Sequence, residues 1–125
     1  MRRVVIESPL AGDFARNKRY ALWCAYHCRT LGEAAYASHL LFPQFLDDEV
    51  PEDREFGIEA GHAWAQLADV FAFYVDLGAS EGMSRAWVRC GRLKGGAPET
   101  RNLPPEMFAR FEAGELPPHT KAFGL

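Results

Sequence analysis

Ser80-Glu81-Gly82-Met83 combines a hydroxyl, a glycine and the start of a helical pattern. It follows Gly78 and the apolar run Val70 to Val75. A strand that ends in a Gly/Ser turn and launches a helix presents unpaired backbone N–H groups and the positive end of a helix dipole. Together these hold an anion such as phosphate. The same residues also make a plain capped turn, with Ser80 as N-cap. A second turn of this kind, Ser8-Pro9-Leu10-Ala11-Gly12, follows Arg3-Val4-Val5-Ile6-Glu7. There Gly12 supplies a positive φ, Asp13 caps the next helix, and Arg16, one turn in, reaches an anion or solvent.

Other chemistry is thinner. Cys24, His27 and Cys28 lie on one helix face, but the Cys-x3-Cys pair lacks a matching second pair, so buried thiols are expected rather than zinc. Asp47-Asp48-Glu49 reads as a solvated acidic helix entry rather than a divalent-cation site. His39 follows the second strand directly and faces either the pocket or a structural hydrogen bond. Gln44 lies on the same loop. No Ser/His/Asp or Cys/His arrangement is legible, and no metal or cofactor is expected.

The elements that must position these residues follow from periodicity. Arg3 to Glu7 is a short buried strand. Ala21, Cys24, Cys28 and Leu31, spaced 3, 4 and 3 apart, give one face of a helix starting at Phe14 and closed by Gly32. Ala34 to Ser38 is a second strand, and His39 to Glu49 an apolar loop. Pro51 opens a helix with Glu52 and Asp53 in its first turn and a predicted buried stripe of Phe56, Ala60, Ala63 and Leu67. Gly57 and Gly61 leave a bare strip on a neighbouring face. Val70 to Val75 is the third strand, and the helix after Gly82 directs Met83, Trp87 and Cys90 inward. Gly95-Gly96-Ala97-Pro98 ends that segment, and Glu99 to Asn102 is a fourth, edge-like strand. Pro104-Pro105 begins a short helix with Met107, Phe108 and Phe111 inward, stopped by Gly114.

This alternation predicts a flavodoxin-like α/β domain over residues 1–114, with a mainly parallel four-stranded sheet of order 2-1-3-4. An irregular tail, 115–125, lies over the body or a partner. Ligands of such sheets bind beyond the carboxyl ends of the strands, at the switch point between strands 1 and 3. That rule sets Ser8 to Asp13 opposite Gly78 to Gly82.

At 125 residues the chain has room for one core. Its net charge of −3 is against general nucleic-acid binding. No apolar run approaches the roughly 20 residues of a membrane span, and the start is too short in apolar residues for a secretory signal. Three cysteines do not suggest a disulfide framework, so a reducing cytoplasm is the expected compartment.

Several segments together resemble small bacterial and phage proteins related to nucleoside 2-deoxyribosyltransferases. They are Ile6-Glu7-Ser8-Pro9 with Gly12-Asp13, Ala37-Ser38-His39-Leu40-Leu41, Gly57-Ile58-Glu59-Ala60-Gly61, Ala68-Asp69 and Ser80-Glu81-Gly82-Met83. The resemblance covers about residues 3 to 102. It implies a homodimer or higher oligomer that binds a nucleoside or nucleotide, with Ser80 helping to hold a 5′-phosphate. Active members attack the sugar C1′ with a glutamate, which suits a covalent glycosyl intermediate and an oxocarbenium-like transition state. Carried over residue by residue, that glutamate falls on Ala86 and the family's second carboxylate on Gly61.

The first reading is therefore a nucleotide-binding pocket without the usual catalytic acids. Its lining would be Ser8, Gly12, Asp13, Arg16, His39, Gln44, Gly78, Ser80, Glu81, Gly82 and Met83. The second is an N-glycosidase or deoxyribosyltransferase with relocated carboxylates, Glu81 and Glu59 foremost and Glu7 also near. A change introduced at position 86 is a further explanation, one that leaves Gly61 unexplained. The third reading is an oligomeric interaction protein with a vestigial pocket, using the aromatic segments around Phe42, Phe45 and Trp64.

Overall fold

The computed structural model describes residues 1–92 and 97–121. Four strands form one parallel sheet: β1 (Arg3–Glu7), β2 (Ala34–Tyr36), β3 (Val70–Tyr74) and β4 (Ala97–Arg101), in the order β2-β1-β3-β4. The helices are α1 (Phe14–Thr30), α2 (Ser38–Leu41), α3 (Pro51–Ala65), α4 (Glu81–Cys90) and α5 (Pro105–Glu112). Among the described residues no helix is long and apolar enough to cross a membrane.

Alternation along the strands divides the interior in two. Val4, Ile6, Val70, Ala72 and Tyr74 face α1 and α5, where they meet Tyr20, Trp23, Cys24, Cys28 and Phe111. Val5, Phe71 and Phe73 face the other way, against Ala65, Met83, Ala86 and Cys90. Burying a large side chain such as Phe71 or Phe111 contributes about 2 kcal/mol or more, so the two layers anchor the sheet from both sides. The segment after α5 also packs on α1. The Trp23 indole N–H donates to the Glu115 carbonyl at 2.8 Å, and Pro117 is buried.

Several boundaries differ from those expected. β2 stops at Tyr36, because Ser38 already starts α2, and Phe42–Gln44 forms a 3-10 turn rather than an open loop. β4 begins at Ala97, so Pro98 lies inside an edge strand, where a missing N–H is tolerated. The Gly95-Gly96 break lies outside the described residues. Leu31 is exposed because it falls one residue past α1. On α4 the inward residues are Met83, Ala86 and Cys90, while Trp87 crosses the flank, its ring 4.9 Å from that of Phe73.

The largest correction concerns α3. Phe56 and Leu67, expected inside, are 54% and 52% exposed, and Ala63 is exposed too. Of its fifteen residues only Ala65 is fully buried. The face turned inward is instead Asp53, Gly57, Gly61 and Ala65, one helical row. Leu46 packs 3.6 Å from where a Gly57 Cβ would stand, and Gly61 opens onto free space. The bare strip is the inner face because α3 borders a cavity rather than the core.

A buried ion-pair network fixes the opposite corner. Arg101 donates to both Glu33 carboxylate oxygens at 2.8 and 2.9 Å, to the Tyr74 hydroxyl and to Glu99. Arg2 adds a third bond to Glu33. These contacts hold the Glu33 carboxyl down at about 2, the Arg101 hydrogen bonds contributing most.

Candidate functional site

In this strand order the connections leaving β1 and β3 diverge, and a crevice opens past their carboxyl ends. Both bordering turns are built as their sequences require. After β1, Gly12 takes φ +97°, and the Asp13 carboxylate accepts from the Arg16 amide at 3.1 Å. The Asn17 amide donates to the Leu10 and Ala11 carbonyls, pinning the loop. After β3, Gly78 takes φ +85°, and Ser80 Oγ accepts from the Met83 amide at 3.2 Å. The Ser80 hydroxyl proton and the Glu81 and Gly82 amides of α4 remain to be partnered by something else. Asp76 is structural: its carboxylate accepts from the Tyr20 hydroxyl and the Leu103 amide.

A cavity of about 660 Å³ lies between the turns. The β1 turn contributes Glu7, Ser8, Leu10 and Ala11, and the segment after β2 contributes Ser38, His39, Phe42, Leu46 and Asp48. From α3 come Arg54, Gly57, Ile58, Gly61 and His62. From the α4 end come Ser80, Glu81, Gly82, Met83, Arg85 and Arg89. Of the residues expected from sequence, Ser8, His39, Ser80, Glu81, Gly82 and Met83 are thus brought together. Gly12, Asp13 and Gly78 only shape the turns. Arg16 is exposed away from the lining, and the Gln44 amide is spent on the Leu40 carbonyl.

The two tentative catalytic acids do not converge. Glu81 lines the cavity, but its side chain is 87% exposed and paired with Arg85 at 3.0 Å. Glu59 does not line this cavity; it borders an adjoining groove, beside Glu49 and Glu55, that shares Asp48, Arg54, Ile58 and His62 with the cavity. Ala86 is packed in the core, and a Cβ at Gly61 would meet nothing within 4 Å. Among the described residues no cluster of three or more His, Cys, Asp or Glu could hold a metal. The three cysteines are free and buried.

Four titratable lining groups, Arg54, His62, Arg85 and Arg89, are not among the residues expected from sequence. Arg85 and Arg89 follow Glu81 at four-residue steps and so share a face of α4, a signal that was present in the spacing. Arg54 and His62 had no such signal. Glu7, the last residue of β1, is half-buried, and among the described residues its carboxylate has no ion-pair partner. Burial raises it to about 7, against the lowering effect of Arg89. Burial lowers His39, partly offset by the Ser8 carbonyl and Asp48. Two buried polar atoms of lining residues lack hydrogen-bond partners, Ser8 Oγ and His62 Nε2. Such orphans cost about 1–3 kcal/mol each, so they mark places where a ligand or water completes the site.

These features define a class: a flavodoxin-like α/β domain with a ligand-sized cavity at the β1/β3 switch point. Within it, the chain belongs to the DUF7768 family, a domain of unknown function, whose model matches residues 2–95. No curated protein matches it in sequence. In structure it is similar to the 2-deoxyribosyltransferase from the psychrotolerant bacterium Bacillus psychrosaccharolyticus, with a TM-score of 0.63 and 13% identity. The match covers 78% of this chain and 72% of that one, and it establishes a deoxyribosyltransferase-like fold.

Proposed function

We propose that this chain binds a nucleotide or nucleotide-derived small molecule in the 660 Å³ cavity. The phosphate lies on the Ser80 to Gly82 turn, and the sugar and base extend toward Ser8 and His39. One observation carries the reading. Ser8, 2% exposed and with its Oγ lacking a hydrogen-bond partner, lines the same cavity as the capped N-terminus of α4. Arg54, Arg85 and Arg89 on the same walls supply positive charge. The likeness in fold to an enzyme named for deoxyribosyl transfer is consistent with a nucleoside-sized ligand.

Calorimetric titration of nucleoside 5′-monophosphates tests this. Binding is expected, with the parent nucleosides weaker and Ser80→Ala about tenfold weaker, the loss of one charge-assisted hydrogen bond. Absence of heat with every nucleotide, and with nucleotide-derived signals, overturns it. The alternative of N-glycosidic chemistry by Glu81 and Glu59 finds no support in this geometry, since Glu81 is exposed and paired with Arg85 and Glu59 does not line the cavity.

Self-association is the second part of the proposal. Phe56, Trp64 and Leu67 are each about half exposed and fall on one side of α3 by helical spacing, an apolar surface suited to a second copy. Light scattering at micromolar concentration is expected to give a dimer or larger species, and Phe56→Glu a monomer. A monomeric wild-type chain refutes it.

A further inference from the structure

Two helical rows carry the arginines of the cavity. Arg54, Ile58 and His62 follow one another at four-residue steps on α3, Glu81, Arg85 and Arg89 do so on α4, and all six line the cavity. Both helices connect parallel strands of one sheet, so the rows run in the same sense. Their charges are not balanced from within. Arg85 is taken by Glu81 at 3.0 Å, whereas Arg54 and Arg89 enter no ion pair among the described residues. The positions three and four away from Arg54 are Val50, Pro51, Gly57 and Ile58, none of them a carboxylate. Those around Arg89 include Arg85 and Arg92, and like charges at this spacing work against the helix. A bound anion offsets that cost. Three carboxyls share the cavity, and none forms an ion pair with Arg54 or Arg89. Glu81 is committed to Arg85, Asp48 is exposed, and Glu7, raised by burial to about 7, is only partly ionised near neutrality.

We propose that the ligand is a nucleotide with at least two phosphoryl groups, one on the Ser80 to Gly82 turn and another on Arg54 and Arg89. The inference rests on the nucleotide-binding reading and narrows it. One phosphate on the turn takes the Ser80 hydroxyl and the Glu81 and Gly82 amides, and its charge is met there. Arg89 stands about 12 Å further along α4 than Glu81, at 1.5 Å of rise per residue. A single phosphate on the turn therefore leaves that end of the wall, and Arg54 on α3, unmatched. A second phosphoryl group accepts two parallel N–H bonds from a guanidinium, the planar fork that distinguishes arginine from lysine as a phosphate ligand. His62 Nε2, buried and without a hydrogen-bond partner, belongs to the α3 row and supplies a further donor in its Nε2–H tautomer.

Calorimetric titration of the full chain compares a nucleoside 5′-monophosphate with the 5′-diphosphate and the 3′,5′-bisphosphate of the same base. At least one of the two-phosphoryl ligands is expected to bind about tenfold or more tightly than the monophosphate, through the added charge-assisted hydrogen bonds. Which of them gains shows whether the two phosphoryl groups are adjacent or lie on opposite sides of the sugar. In Arg54→Gln combined with Arg89→Gln the ratio is expected to fall to near one; both side chains are exposed, so the fold is kept. Arg16→Gln combined with Arg29→Gln removes the same charge at exposed positions of α1 outside the cavity and is expected to keep the ratio. A ratio near one in the wild type, a ratio unchanged in the cavity variant, or a ratio lost equally in the α1 variant overturns the proposal and leaves nucleotide binding intact. Absence of binding by all three ligands overturns both.

Discussion

Glu7 makes a prediction that needs no ligand. In the unfolded chain its carboxyl titrates near 4.5, in the folded chain at about 7. Between those values the folded state binds the extra proton, so stability falls as pH rises across the window. At 1.36 kcal/mol per unit the whole effect is about 3 kcal/mol, of which about 2.5 kcal/mol falls between pH 5 and pH 8. His39 and His27, both lowered by burial, act in the opposite sense, gaining stability as pH rises toward 6.5. The difference between wild type and Glu7→Gln isolates Glu7. Urea denaturation at pH 5 and pH 8 is expected to show the variant gaining about 2.5 kcal/mol relative to wild type, or roughly 1 M in midpoint for a chain of this size. Equal pH slopes for the two proteins refute the burial of this carboxyl.

Three further perturbations probe the frame. Arg101→Met strands the Glu33 carboxylate, whose side chain is 4% exposed, and is expected to cost about 3–5 kcal/mol at pH 7 by thermal or urea denaturation. Because Glu33 is held down at about 2, the stability it supplies is complete above 4.5 and lost as pH falls toward 2. The variant is therefore expected to lose that part of the acid-denaturation curve. Ser80→Ala removes the α4 cap and is expected to cost about 1 kcal/mol in a denaturant melt, separately from its effect on ligand. Phe111→Ala empties a site between Tyr20 and Phe108 and is expected to cost about 3–5 kcal/mol, with limited proteolysis cutting first after residue 103.

The architecture was largely legible because its signals are local. Val70 to Tyr74 is apolar throughout, Gly32 takes the left-handed conformation its position after α1 demands, and the alternation of strand and helix leads to the observed order. Helix phase was not legible on α3. The rule that large apolar residues face inward fails where the inner neighbour is a cavity, and so Glu59, one row away, borders the wrong depression. Ser8 and Ser80 could be found because glycines and caps mark their turns. Glu7 and Arg89 could not be ranked, since a charge at a strand end or on a helix carries no signature until the fold shows what surrounds it.

The edges of the sheet have a consequence for how copies of this chain meet. Strand β2 offers only three residues, and β4 carries Pro98, which has no backbone donor, followed by the charged Glu99 and Arg101. Both borders are poor templates for a fifth strand, so growth of the sheet from one molecule into the next is disfavoured on both sides. Strand addition is thereby disfavoured at both borders, which leaves the helical faces as the surfaces better suited to specific encounters.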